Sequence, residues 1–479
     1  MAKALMIQGT GSGAGKSLIT AALCRIFKDM GINVAPFKAQ NMALNSYITV
    51  EGCEIGRAQA LQAEAARIIP EVDMNPILLK ASGDMGSQVI IHGKVYSTMK
   101  AREYYSFKEQ AWNAVKESFD RLSKKYDFII IEGAGSPAEI NLVDVDIVNM
   151  SVAKYAKASV ILVGDIDRGG VFASLYGTVK LLGRDSKYIK AFIINKFRGD
   201  FGILSPALEM IKNRTGKPVI GVLPYIKDIG LSEEDGLVLQ KINYRMSTLR
   251  PRPIKIVVVR LQYISNFTDF DPFMYEPDVD IIYSTNSADI ENADMVIIPG
   301  SKNTVKDLIF LKESGLEKSI KIAYTKGIQI MGMCGGYQML GKKIYDPYCV
   351  ESSYREVEGI GLLNIETVFQ KTKITSQVEA EMINDVMKCG TVKTGDANIL
   401  KGYEIHMGIS EGDIGLFKIR RLNGSNCSNS IYDGSRNENC WGTYIHGIFE
   451  NDSFRRAIIN NLRRLKNLSP IESTLNYSK

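Results

Sequence analysis

The chain has 479 residues, 45% of them apolar and 23% charged, and its 59 basic and 53 acidic side chains leave a net charge of +6. That length exceeds what one hydrophobic core organises, so two domains are expected, and the mild, dispersed charge excludes a nucleic-acid stripe or polybasic arm. No apolar run reaches the ~18 residues of a membrane span, and seven scattered cysteines without a C-x-x-C point to a reducing cytosol rather than a disulfide framework. In chain order, residues 4–8 form a short apolar run, followed by a glycine-rich loop and a helical stretch from Ser17 to about Met30. The start reads as a first strand, not a signal peptide, and a cytoplasmic protein is expected. Further strand-like runs at 33–37, 126–131, 159–163, 191–194 and 219–222 alternate with amphipathic segments. This is the βαβ rhythm of a parallel sheet covered by helices.

The regular sheet signals end near Pro224. A polar stretch at 231–236 and then Arg250-Pro251-Arg252-Pro253 favour extended backbone. The division expected is a first domain over 1–230, a linker over 231–253 and a second domain over 254–479. The second domain opens a new βα series at 254–259, 295–298 and 328–333. Shorter β-rich segments follow up to His446, with an Asn/Ser-rich loop over 423–430 and a closing basic helix. Arg455-Arg456 and Arg463-Arg464 read as a solvated face of that helix. The only three histidines, His92, His406 and His446, make a histidine-rich metal site improbable.

Gly9-Thr10-Gly11-Ser12-Gly13-Ala14-Gly15-Lys16-Ser17 joins a strand to a helix. Such a loop turns backbone amides toward phosphates, with Thr10, Gly11, Gly13 and Gly15 shaping the ATP cradle. Lys16 reaches the β/γ-phosphates and the Ser17 hydroxyl ligates Mg²⁺. The strict P-loop pattern needs glycine at position 10, where this chain has Thr10. Glu132 ends an apolar strand, at the strand ends where ligands of open α/β sheets bind, and is the expected metal carboxylate. Asp165 and Asp167 follow another strand and serve metal, substrate or merely a helix cap or turn.

In the second half, Gly332-Met333-Cys334-Gly335-Gly336-Tyr337-Gln338 follows an apolar strand and enters a helical pattern. A nucleophile framed by glycines at a strand-to-helix turn is an elbow, and a thiolate at a helix start is activated. The Gly335 N–H supplies one oxyanion donor, and the strand ending in Pro299-Gly300-Ser301 supplies the other, at Gly300. His446, in Thr443-Tyr444-Ile445-His446-Gly447, is the expected base, with His406 as competitor.

These residues resemble known families. The displaced glycine at Gly9 resembles the dethiobiotin-synthetase-like branch of P-loop proteins, and the second half resembles class I glutamine amidotransferase domains. Many of those carry a glutamate two residues after the histidine, where this chain has Ile448. Pro36-Phe37-Lys38-Ala39-Gln40-Asn41-Met42-Ala43-Leu44-Asn45-Ser46 is similar to the signature of cobyric acid synthases. So are Glu132-Gly133-Ala134-Gly135-Ser136-Pro137 and its continuation to Leu142, residues 165–173, Ile194-Asn195-Lys196-Phe197-Arg198-Gly199-Asp200, and segments 264–272 and 299–304.

The resemblance implies an α/β protein with an N-terminal P-loop parallel sheet and a C-terminal amidotransferase domain. It implies ATP- and glutamine-dependent amidation of carboxylates b, d, e and g of (adenosyl)cobyrinic acid a,c-diamide, a cobalt-carrying corrinoid. Asn195 then contacts adenine, and Lys38 lies near the transferred phosphoryl group or the substrate carboxylate. Gln40, Asn41 and Asp165 are candidates for the corrinoid. No nucleic acid or membrane partner is implied, and analogy suggests a homodimer. The rival readings are the a,c-diamide synthase of the same pathway, a peptidoglycan-precursor amidase and a partitioning-type switch ATPase. Gly11 stands where such a switch carries a signature lysine, and a switch has no use for Cys334.

Overall fold

A run such as Phe128–Glu132, buried at four of its five positions, has no polar face to offer solvent and needs cover on both sides. The computed structural model, which describes residues 2–81, 86–226, 252–384, 399–423, 430–472 and 477, provides that cover. The strand lies in a six-stranded sheet of order Val219–Pro224, Ile189–Phe197, Ser159–Asp165, Lys3–Gly9, Phe128–Glu132, Val34–Phe37. Every pairing is parallel. Alternate residues of one strand enter different cores: Met6, Ile129 and Ile131 pack in one cluster, Ile7 and Ile130 in another. The period-2 alternation of a strand thus fills the layers on both faces.

The chain divides into two compact units: Met1–Ala43 with Glu54–Leu231, and Leu44–Cys53 with Ser232–Lys479. The segment Leu44–Cys53 leaves the first half of the sequence to join the second unit. Of the linker expected at 231–253, only Arg252 and Pro253 are among the described residues, and of the loop expected at 423–430 only Asn423 and Ser430. The first unit also holds a smaller sheet of Gln40–Met42, Ile77–Ala81, Ser87–Ile91 and Lys94–Met99, which the sequence pattern did not announce.

In the second unit, Val279–Ser284, Ile254–Val259, Met295–Ile298, Gln329–Met333 and Cys440–Thr443 form a parallel sheet, with Ser435–Asn437 antiparallel at its edge. The tail does not consist of short strands only: Ile365–Met382 and Ile399–Gly412, 18 and 14 residues long, pair antiparallel with each other. A register shift between Phe369 and Ile374 interrupts the alternation, which makes one long strand look like two short ones.

The closing helix, Asp452–Leu465, corrects the solvated-face reading. Arg455, Arg456 and Arg463 are buried. Arg455 Nε donates to Glu276 at 2.7 Å, Arg456 reaches Glu276 and Asp278 at 2.9 and 2.8 Å, and Arg463 reaches Asp278 at 2.9 Å. The charges are paired across the fold rather than hydrated, which is the condition for burying them.

Candidate active site

The loop before the helix Lys16–Asp29 has positive φ at Gly13 (73°) and Gly15 (98°). Glycine is required at the second: a Cβ there would also collide with the Asn195 amide. No side chain caps the helix start, so its first amides are left for a ligand. Lys16 Nζ donates to the carbonyls of Gly11 and Gly135 at 2.9 and 3.1 Å. The Thr10 amide is held by Val163 O at 2.9 Å.

Glu132 gathers the charged part of this site. Its Oε1 accepts from Ser17 Oγ at 2.8 Å and from Lys38 Nζ at 2.9 Å. Its Oε2 accepts from Gln62 Nε2 at 2.5 Å, with Gln59 Nε2 at 3.5 Å. Burial alone pushes the carboxyl upward, but Lys38, Gln62 and Ser17 outweigh it and hold it below the ordinary glutamate value. Gln59 and Gln62 were not singled out from the sequence. Their signal is two buried glutamines one helical turn apart on Arg57–Ala65, where an apolar face is expected.

Asn195 Nδ2 donates to Ala14 O at 2.9 Å, which places this side chain against the phosphate loop. Asp165 is engaged by Lys196 at 3.0 Å and Arg168 at 3.5 Å, and accepts the Asp167 amide at 3.0 Å. It therefore closes a turn as well as facing the loop's flank. Gln40 accepts from Tyr104 Oη at 2.5 Å, and Asn41 Nδ2 donates to Gln59 at 2.9 Å.

In the second unit, Cys334 sits between Gln329–Met333 and the helix Gly335–Leu340 with φ 50° and ψ −107°. A non-glycine residue in that region is strained. The strain is enforced by packing: a Cβ on Gly336 would collide with Ile298 O, and one on Gly335 would lie 2.9 Å from the Ser301 amide. Only glycines let the elbow approach the loop at Gly300 and Ser301. That loop is fixed by Ser265 N donating to Gly300 O at 2.8 Å and by Ser301 Oγ donating to Asp307 at 2.5 Å. Gly300 lies beside the imidazole, since a Cβ on it would be 3.5 Å from His446 Cε1.

His446 is buried and its Nδ1 is 2.7 Å from Asp269 Oδ2, while Asp269 Oδ1 accepts the Gly447 amide at 2.9 Å. Burial resists charge on this ring, yet the Asp269 carboxylate and the Cys334 sulfur outweigh it and raise the imidazole to about 10. His446 Nε2 meets no partner at hydrogen-bond geometry. Asp269 lies in segment 264–272, one of the stretches similar to cobyric acid synthases, where no local pattern marks it out. It supplies what Ile448 does not. His406 is occupied elsewhere: its nitrogens pair with Gly408 O at 2.7 Å and Glu404 at 3.3 Å.

Among the described residues no group of three His, Cys, Asp or Glu side chains is arranged to hold a metal, and no helix is long and apolar enough to cross a membrane. Among the described cysteines, Cys24, Cys334, Cys349 and Cys440 are free.

Residues 5–239 match the family described as CobQ/CobB/MinD/ParA nucleotide binding domain, and residues 255–454 match CobB/CobQ-like glutamine amidotransferase domain. The chain is 53% identical to a cobyric acid synthase of Thermodesulfovibrio yellowstonii, covering 100% of this chain and 94% of the relative. It is 51% identical to one of Clostridium botulinum over 99% and 93%, and 52% identical to one of Thermoanaerobacter over 100% and 94%.

Proposed function

Since the chain belongs to the cobyric acid synthase family, we propose that Lys16, Ser17, Lys38 and Glu132 carry its ATP-dependent step and Cys334, His446 and Asp269 its glutaminase step. The reaction is the glutamine-dependent amidation of the b, d, e and g carboxylates of (adenosyl)cobyrinic acid a,c-diamide; the a,c-diamide synthase alternative is not favoured by the full-length matches. The observation that carries the assignment is the pairing, in one chain of this family, of a phosphate loop around Glu132 with a glycine-framed Cys334 beside a carboxylate-bound His446.

The oxygen-rich set at the loop suits magnesium, a hard cation that takes few protein ligands and keeps its waters. Ser17 Oγ and Glu132 would hold it, and the Lys38 charge would then bear on the reacting oxygens. ATP held with magnesium would supply the phosphoryl group that makes the substrate carboxyl an acyl donor to ammonia. Lys16 and Lys38 stabilise charge on the moving group, a task of position and electrostatics. The substrate carboxylate oxygen takes the phosphoryl group, and the nitrogen of ammonia later displaces phosphate to form the amide.

Ammonia comes from the other site. Cys334 Sγ attacks the glutamine side-chain carbonyl, and His446 gives a proton to the departing nitrogen. A glutamyl thioester remains until water, deprotonated by His446, releases glutamate. The Gly335 amide and the backbone at Gly300 receive the oxyanion. The reaction belongs in the cytoplasm, where free cysteines persist and ATP and glutamine are at hand.

The test is a mass measurement on the corrinoid after incubation with glutamine and Mg·ATP, together with ammonia and ADP release. Four successive losses of about one mass unit each are expected. Glutaminase and ATPase activity with an unchanged corrinoid would overturn the substrate; a Cys334→Ser enzyme that also failed with added ammonia would overturn the division of labour.

A further inference from the structure

The segment Leu44–Cys53 belongs to the second unit although Glu54–Leu231, which follows it directly in the chain, belongs to the first. Asn45, Ser46, Ile48 and Thr49 of this segment are buried, and the first two meet the turn that carries Asp269. Asn45 and Ser46 are 2% and 1% exposed. Asn45 Oδ1 accepts the Phe267 amide at 3.0 Å, and the Ser46 amide donates to Asn266 Oδ1 at 3.2 Å. Asn266 adopts a left-handed φ of 50°, and its carbonyl accepts the Asp269 amide at 3.0 Å. The turn Phe267–Phe270 is thus held at its entry by two bonds from the segment.

Tyr403 closes the other side. Its hydroxyl donates to Ser46 O at 3.1 Å and accepts from Asn266 Nδ2 at 3.2 Å. Its ring stacks on the His446 imidazole with centroids 5.3 Å apart and planes 16° apart. Its backbone pairs with that of His446 at 3.0 and 2.8 Å. Ile48 packs with Tyr403 and Ile405, and Thr375 Oγ1 donates to Gly52 O at 2.8 Å. One run of contacts therefore joins Asn45 and Ser46 to both partners of the Asp269–His446 bond.

We propose that Leu44–Cys53 is a working part of the glutaminase centre, with Asn45 a positioning residue that fixes the Asp269 turn and so the orientation of His446. The proposal rests on the reading of Cys334 and His446 as the glutaminase pair. Loss of the Asn45 acceptor leaves the buried Phe267 amide unpaired, and the turn shifts to find another partner. A small displacement of a catalytic carboxylate is costly, because the base must be aligned in the transition state and not merely present.

The experiment uses the full chain and compares wild type with Asn45→Ala, Asn45→Asp, Tyr403→Phe and Cys334→Ala, each with glutamine and with added ammonia. Asn45→Ala is expected to lower glutaminase kcat about tenfold or more with KM for glutamine within about twofold, while amidation from ammonia stays within about twofold. Its alkaline limb moves to lower pH, because Asp269 and Cys334 are the charged groups facing His446 and the first of these is weakened. Asn45→Asp keeps an acceptor oxygen for the Phe267 amide but adds a buried ionisable carboxyl, so its glutaminase rate is expected to lie above that of Asn45→Ala and below wild type. A glutaminase kcat within about twofold of wild type in Asn45→Ala would overturn the proposal. If Asn45→Ala loses both activities, Tyr403→Phe decides: it keeps the ring on His446 and removes the hydroxyl, and an unchanged glutaminase rate there overturns the proposal equally. Glutaminase activity surviving in Cys334→Ala would instead sink the reading on which the proposal rests.

Discussion

Asp269 Oδ2 lies 2.7 Å from His446 Nδ1, although the two residues are 177 positions apart in the chain. The carboxylate fixes the ring so that Nε2 is the atom left for Cys334. Asp269→Asn keeps the shape but offers an amide in place of the charge, and stabilises the wrong tautomer. Glutaminase kcat is expected to fall by about 10²–10⁴-fold, as in other triads that lose their carboxylate, with amidation from ammonia preserved. Initial rates of glutamate release check this.

The same pair predicts a pH dependence. His446 is raised from 6.5 to about 10, against the opposing effect of burial, by Asp269 and Cys334. A group raised on folding stabilises the fold fully below its unfolded value, and that contribution fades as pH rises through the folded one. Its imidazolium form therefore persists through neutral pH, and the alkaline limb of glutaminase activity reports its loss. In Asp269→Asn the larger favourable charge is gone and the limb moves to lower pH. A limb that does not move between wild type and variant would remove His446 as its source.

Lys38 and Glu132 form a buried ion pair, with side chains 4% and 1% exposed. Lys38→Met leaves the carboxylate without its main counter-charge, and breaking a buried pair on one side costs about 3–5 kcal/mol. The sign with pH follows from Glu132, which lies below 4.5 when folded despite its burial. A depressed carboxyl stabilises above its unfolded value and loses that contribution as pH falls through the folded one. The variant's deficit in urea midpoint is thus expected to be largest at neutral pH and to shrink as pH falls, first as the unpaired, buried Glu132 takes up a proton above its ordinary value and then, below that value, as the wild type loses its own contribution.

Much of this was legible because the chemistry was local. The glycines around Cys334 and before Lys16 announce a sharp elbow and a phosphate loop, and strand ends place Glu132. Asp269 carried no such signal: a carboxylate in a short turn reads like any cap until the fold brings it to His446. Gln62 is neutral, and a pair of glutamines one turn apart on a helix does not show which charge they bond. Arg455 and Arg456 misled for the same reason. Charges at helical spacing read as a wet surface, because Glu276 and Asp278, nearly 180 positions earlier, leave no trace in the local pattern.

That arginine network makes its own prediction. Arg456 bonds both Glu276 and Asp278, and all three are buried. Arg456→Met leaves two carboxylates short of a partner, so a loss of about 3–5 kcal/mol is expected, well beyond a surface substitution. Arg464→Met, on the same helix but exposed, is expected to cost less than about 0.5 kcal/mol. Chemical denaturation of the two variants side by side reads the difference, and equal midpoints would restore the solvated-face reading.

Gly15 separates the two activities most sharply. Its φ of 98° is closed to side chains at small cost, and a Cβ would strike the Asn195 amide that holds the Ala14 carbonyl. Gly15→Ala therefore combines a backbone penalty of about 1–2 kcal/mol with displacement of the residue next to the nucleotide cradle. The loop amides no longer converge on phosphate, and amidation is expected to fail with glutamine and with ammonia alike. The Cys334 elbow, the Asp269 turn and Leu44–Cys53 all lie in the other unit, so basal glutamine hydrolysis should survive. Nucleotide binding by titration calorimetry and glutamate release, measured on the same preparation, distinguish this from misfolding: intact binding of ATP in Gly15→Ala would show that the loop tolerates the change and that Asn195 is not held where the structure puts it.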